Sequence, residues 1–203
     1  MNRHIGLPLR LVAATALCLA LHAAPALSAG GTSDSDATAV VDRVIDTVQK
    51  ASPSDRAKVT GTIRSSFDIE AIAKTIVGKY WLTASDGQRA EFMDALLSAT
   101  VVVILDRLQE RRGLDIDLGK VRHSQNGDFL VPTKVTKQDG RIVNVVWRLR
   151  RCSAGVCIVD LIVDGASMAL QRRDEAAGIL SANGGAIGEL SLRLRAQPTH
   201  PFN

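Results

Sequence analysis

Apolar residues fall three and four positions apart in the first half of the chain and alternate with polar ones in the second, which predicts helices followed by strands. A polar leader at 30–37 gives way to Val40, Val41, Val44, Ile45 and Val48 on one helical face. Ser52-Pro53-Ser54 breaks that helix and starts a second, running to about Ser65, because proline fits a first helical turn but not an interior one. A third helix from Asp68 carries Ile69, Ile72, Ala73, Ile76 and Val77 and stops before Gly78-Lys79-Tyr80-Trp81. Thr83-Ala84-Ser85-Asp86 reads as the start of a long fourth helix bearing Phe92, Leu96, Leu97, Val101, Ile104, Leu105 and Leu108, ended by Gly113. Its middle, Val101 to Leu105, is apolar on almost every side, so protein should enclose it on more than one face.

From Leu114 the period becomes two: Leu114/Ile116/Leu118, Phe129/Val131/Thr133/Val135, Val143/Val145/Trp147/Leu149, then Val156/Ile158 through Val163. Asn126-Gly127, Asp139-Gly140 and Ala154-Gly155 separate these runs as turns. Pro132 places its strand at an edge or a bulge. A last helical region begins near Ala166, breaks at Asn183-Gly184-Gly185 and resumes with Ile187, Leu190, Leu192 and Leu194. The expected fold is α+β: a four-stranded antiparallel meander covered on one face by N- and C-terminal helices, in a single domain at 38–197 with a tail at 198–203.

Residues 1–29 are different in kind. Arg3, His4 and Arg10 precede an apolar run from Leu11 to Leu21, followed by small residues at 25–29. This is the layout of a secretory signal peptide, with a run too short to span a bilayer, and it predicts export. Cys18 continues that run and reads as one of its apolar members rather than a lipidation site. Removing Arg3 and Arg10 from 25 basic residues against 21 acidic leaves a formal charge of +2, too balanced for a nucleic-acid-binding module. Aromatics make up only 3% of the chain, so aliphatic side chains must build the core.

Candidate chemistry is sparse. Cys152 and Cys157 flank the expected Ala154-Gly155 turn, where a two-residue hairpin would place them opposite one another within disulfide reach in an oxidising compartment. Metal binding is disfavoured, since these two thiols have no further Cys or His ligand nearby. His123 and His200 are the histidines beyond residue 29, the first reading as a surface residue beside a turn and the second lying in the tail. No G-x-S-x-G elbow, P-loop or HExxH motif occurs, and Gly184-Gly185 with Gly188 reads as a helix break rather than a phosphate loop. Paired acids remain: Asp115 with Asp117, and Asp160 with Asp164. Asp160 interrupts an apolar run, so hydrogen bonding or a strand edge should account for it, while a cavity enzyme of isomerase or dehydratase type using Asp160, Asp164 or Tyr80 stays open.

Two longer blocks carry a resemblance. Phe67-Asp68-Ile69-Glu70-Ala71-Ile72-Ala73-Lys74-Thr75-Ile76-Val77-Gly78-Lys79-Tyr80-Trp81, continued by Thr83 to Phe92, resembles the FD…IA…LG.YW segment of the MlaC or toluene-tolerance (Ttg2D-like) family. Val143 to Arg151 resembles its V.YRLR strand, with Trp147 at the Tyr position, and Asp160 to Ser167 its DV.VEGVS segment. Gln171-Arg172 falls in the next helix, where the family often carries a polar pair with Arg. Val156 stands where the family usually has Trp, and Asp164 replaces the usual Glu. The break at Asn183-Gly184-Gly185 is similar to relatives associated with hopanoid biosynthesis, which leaves the identity of the lipid open.

The resemblance implies a periplasmic carrier, not an enzyme, whose sheet and helices enclose an apolar cavity for the acyl chains of a phospholipid or related lipid. It implies transient membrane contact and partners in an outer-membrane lipoprotein complex and an inner-membrane ABC transporter with an MCE-domain subunit. It implies no cofactor, lipid being cargo, and no nucleic acid. Helical and strand period select the lining: Ile72, Ile76, Phe92, Leu96 and Leu105 from helices, Val131, Val135, Val145, Trp147 and Leu149 from the sheet, with Tyr80 and Trp81 near one end of the cavity. The same periodicities would fill a solid core, and a structural adaptor of an envelope complex is the third reading.

Overall fold

A computed structural model describes residues 32–106 and 113–199. The expected signal peptide, Leu108 and the end of the tail lie outside the described residues. Helix α1 (Asp34–Lys50) begins inside the expected leader, because Ser33 and Asp36 form a reciprocal capping box that satisfies free amides of the first turn. Helix α2 (Arg56–Ser66) follows the Ser52-Pro53-Ser54 break, and the Thr47 and Thr62 hydroxyls join the two helices at 3.1 Å. Asp68 caps α3 (Ile69–Val77) by accepting from the Ala71 amide at 2.9 Å, and a 3-10 turn (Gly78–Trp81) leads away from it. Ser85 and Gln88 cap α4 (Asp86–Asp106) through reciprocal hydrogen bonds of 2.9 and 3.3 Å.

The sheet holds the four expected strands, β1 (Asp115–Leu118), β3 (Phe129–Thr136), β4 (Ile142–Cys152) and β5 (Gly155–Val163), and two short ones, β2 (Arg122–His123) and β6 (Ala166–Ser167). All pairs are antiparallel, in the order β1-β3-β4-β5-β6 with β2 also on β3. The α+β assignment therefore holds. Helices α5 (Met168–Ala182) and α6 (Gly188–Ala196) complete the chain, and Gly184 and Gly185 at φ +69° and +85° make the break between them.

Two sequence expectations need correction. Pro132 lies in β3, which is neither an edge nor bulged, pairing with Val146 on β4. Its carbonyl accepts from the Gly119 amide at 2.7 Å, so its ring nitrogen faces the same side, where β1 has ended at Leu118 and β2 has not begun at Arg122. The missing donor thus falls at a gap in the ladder. The β4–β5 hairpin turns at Ser153-Ala154, not Ala154-Gly155, so Cys152 pairs with Gly155 and Cys157 with Arg150. The cysteines sit diagonally rather than directly opposite, and the disulfide forms across a Cα separation of 5.9 Å.

Strand alternation puts Phe129, Val131, Leu149, Val156 and Ile158 against the helices, and sends Lys134, Asn144, Arg148 and Arg150 to the other face. With Val40, Val41 and Val44 of α1, Val59 and Ile63 of α2, and Leu97 and Val101 of α4, they form one buried cluster. A second cluster is made of helices and the 3-10 turn, with Ala73, Ile76 and Val77, Trp81, Phe92, Ala95 and Ala99, Ala176 and Leu180, and Ile187, Leu190 and Leu194. Helix α4 serves both, through Leu97 and Val101 on one side and Phe92, Ala95 and Ala99 on the other, while residues 102–105 of its apolar stretch are only half-buried. In α6, Leu192 is 60% exposed and Ser191 is buried instead, so the core face of that helix runs through Ile187, Leu190 and Leu194.

Candidate functional site

The two clusters do not close upon each other. Between them lies a pocket of about 380 Å³, in the range of small-ligand sites. Val44 and Val48 of α1, Ile63 and Phe67 around the end of α2, and Trp147 and Leu161 of the sheet form one wall. Ile76, Leu96, Ala99, Thr100, Val103, Ile104, Arg172, Leu194 and Pro198 form the rest. A smaller hollow of about 130 Å³ adjoins it, sharing Phe67, Ile76, Leu96, Leu161 and Arg172 and adding Ile72, Val159, Asp160, Met168 and Ala169. Two other hollows, of about 410 and 500 Å³, lie beside β1, but charged residues such as Asp117, Lys134, Asp42 and Arg43 line them.

Local chain geometry builds the apolar pocket. The Asp68 amide donates to the Ile158 carbonyl at 2.9 Å and Phe67 bridges Ile158, pinning the α2–α3 junction to β5 and holding the Phe67 ring at the wall. Directly after Ile158 the β4–β5 register slips, with Leu149 opposite Ile158 and Arg148 opposite Asp160. The extra residue of this bulge, Val159, lines the smaller hollow. The Trp147 indole donates to the buried Thr133 hydroxyl at 2.9 Å, which satisfies both groups and fixes the ring. Thr100 donates to the Leu96 carbonyl at 2.8 Å, so its hydroxyl is already satisfied within α4. Arg172 is the one charged wall residue of the pocket among the described residues.

Of the lining expected from periodicity, the structure brings Ile72, Ile76, Leu96 and Trp147 to the pocket and its extension. The others lie elsewhere. Phe92 is fully buried in the helical cluster, and Val131 and Leu149 in the sheet cluster, each packed on every side. Leu105 packs against the sheet cluster, because the α4 stripe that meets the void is Ala99, Thr100, Val103 and Ile104, one step around the helix. Val135 and Val145 share the strand face but sit towards β1, Val145 beside a charged hollow. Trp81 is buried against the helical cluster, with Lys74 and Arg89 over its ring at 5.7 and 5.4 Å. Tyr80 packs onto Gly185, where a Cβ would collide with its ring, so neither aromatic marks an end of the pocket. Sequence reasoning passed over Val44, Val48, Ile63, Phe67 and Leu161, because the period that marks them as inward cannot say whether they meet a neighbour or a void.

Of the acidic candidates, Asp160 and Asp164 are held in local hydrogen bonds. Asp160 accepts from the Ser167 hydroxyl at 2.6 Å and the Ala169 amide at 3.1 Å, tying β5 to the start of α5. Asp164, at φ +47°, accepts from the Asn144 amide at 3.0 Å in the β5–β6 turn. Asp115 and Asp117 are exposed on β1. His123 is half exposed, bonded to Asp34 at 2.9 Å. Buried Asp128 takes Arg150 in a bidentate pair of 2.9 and 3.0 Å, which raises the pKa of that guanidinium above the ordinary arginine value. No group of three or more His, Cys, Asp or Glu among the described residues could hold a metal ion, and none of their helices is long and apolar enough to cross a membrane.

A layer of helices over an antiparallel sheet, with an apolar pocket between them, defines an α+β protein of the small-ligand-pocket kind. The chain belongs to the MlaC protein family, whose model matches residues 38–196. Among solved structures it is similar to a phospholipid-binding protein from Ralstonia solanacearum, determined in complex with a phospholipid. The two share 17% identity at a TM-score of 0.69, over 84% of this chain and 98% of the other. No curated protein matches the sequence.

Proposed function

We propose that this protein is a periplasmic lipid carrier that holds phospholipid acyl chains in the pocket between its two cores, without making or breaking bonds. The observation that carries the reading is the pocket itself, walled by aliphatic side chains and two aromatic rings with Arg172 at its border. Each methylene moved from water into such surroundings gains about 0.8 kcal/mol, so acyl chains need aliphatic walls more than polar specificity. Membership of the MlaC family and the phospholipid in the structurally similar Ralstonia protein support the same reading. Residues 1–29 export the chain. In the periplasm it passes lipid between an outer-membrane lipoprotein complex and an inner-membrane ABC transporter carrying an MCE-domain subunit, touching the membranes only in passing.

Solvent extraction and mass spectrometry of protein purified from a bacterial host test this. Phospholipid near one per chain is expected, and folded protein without lipid across several preparations would overturn the reading.

A further inference from the structure

We infer that Arg172 is a headgroup anchor, its guanidinium binding phosphate oxygens of a phospholipid whose chains fill the pocket; the inference rests on the carrier reading above. Among the described residues, Arg172 is the only cationic side chain on the walls of the pocket and its extension. Its side chain is 39% exposed, which places it where the apolar walls meet water, the position a phosphate takes when the chains behind it are buried.

The fork is held ready. Nη1 donates to Glu175 Oε2 at 2.6 Å, and Gln171 Nε2 donates to the other oxygen of that carboxylate at 3.1 Å. Glu175 is thereby a positioning residue, fixed by two neighbours on α5 and fixing Arg172 in turn. Among the described residues, no hydrogen bond of Nε or Nη2 accompanies that of Nη1. These two atoms form one edge of the guanidinium, with parallel N–H groups spaced to meet two oxygens of one phosphate. The other polar side chains on the larger pocket's wall, among the described residues, are committed: Thr100 to Leu96 and the Trp147 indole to Thr133. A headgroup entering there finds one unspent pair of donors.

The chemistry is that of a phosphate, whether free or esterified to a lipid, and the test separates the two. Binding of dioleoylphosphatidylglycerol and of dioleoylglycerol, which has the same chains and no phosphate, is measured for delipidated wild type, R172Q, R172K and R172Q/E175Q. R172Q should weaken the phospholipid about tenfold and leave the diacylglycerol unchanged. R172K should recover part of the loss, since it keeps the charge and loses the fork. The double variant should match R172Q, which excludes repulsion by an unpaired Glu175. Inorganic phosphate at millimolar concentration should not displace the lipid. Equal effects on both lipids, no effect on either, or displacement by free phosphate would overturn the anchor. Wild type that binds neither lipid would instead bring down the carrier reading, and the anchor with it.

Discussion

The cluster beside the sheet and the cluster among the helices bury similar side chains but close in different ways. In the first, α1 and α2 lay Val40, Val41, Val59 and Ile63 across the face made by Phe129, Val131, Leu149 and Ile158, so two continuous surfaces meet. In the second, α3, α4, α5 and α6 interlock through Phe92, Leu180, Ile187 and Leu190 with alanines at the close approaches, Ala73, Ala95 and Ala176. Each packs densely within itself. Where they adjoin, Ala99 and Val103 of α4 line the pocket. The pocket of about 380 Å³ at this seam is partly open to solvent and walled by aliphatic side chains, and it is the space that the carrier reading fills with acyl chains.

The largest contrast between core and seam should appear in paired substitutions. Phe92→Ala removes a fully buried ring from the helical cluster and should cost about 3–5 kcal/mol in denaturant unfolding, with a matching fall in Tm. Val103→Trp adds bulk at the seam, where there is open space to receive it. It should cost less than about 1 kcal/mol, below the usual penalty for overfilling a packed core, while abolishing co-purified lipid. Equal destabilisation by the two would mean that the seam is as closed as the cores.

A smaller effect is expected at the hairpin. Cys152–Cys157 belongs to neither wall of the pocket, and its short loop gives a chain-entropy stabilisation of about 2 kcal/mol. The double Cys→Ser variant should lose about that much stability and keep its lipid. Loss of lipid at full stability would tie the hairpin to the pocket.

Smallest is the response to acid. Asp36 is held below the ordinary aspartate range by hydrogen bonds from the Ser33 backbone and hydroxyl, and Asp55 by those of the Ser52 hydroxyl and backbone. Both carboxylates bind protons less readily in the folded chain than in the unfolded one. Their contribution is therefore complete above the ordinary aspartate value and disappears as pH falls through the lowered folded value. Both stand at the starts of helices of the sheet-side cluster, α1 and α2, so acid should loosen those first turns before the helical cluster. Hydrogen exchange between about pH 5 and pH 2 would show this, and Asp36→Asn should remove the effect from α1.

How much of this was legible in the sequence follows from the same division. Period identified the helices and strands, but the all-round apolarity of Val101 to Leu105 overstated their enclosure: Val101 is buried in the sheet cluster, 102–105 are half-buried, and α4 meets the helical cluster through Phe92, Ala95 and Ala99 instead. Turn chemistry found the hairpin but misplaced it by one residue, since Ser153 is a weaker turn signal than Gly155, which lies just past the turn. Pro132 misled because the gap between β1 and β2, where its missing amide does no harm, is a tertiary feature. Of the pocket wall only Ile72, Ile76, Leu96 and Trp147 were legible. Ile76 and Leu96 share the period that buries Phe92 and Val131, and only the packing of whole elements decides which meet a neighbour and which meet space.

The chain has two tryptophans, one in each region: Trp147 on the pocket wall and Trp81 in the helical cluster. Fluorescence of Trp81→Phe and Trp147→Phe variants, titrated with a phospholipid brominated midway along its acyl chains, therefore reads where the chains go. If the seam holds them, Trp147 in the first variant is quenched strongly at about one lipid per chain, and Trp81 in the second keeps most of its emission. Strong quenching of Trp81 with Trp147 unaffected, or no quenching of either by lipid that demonstrably binds, would contradict the account.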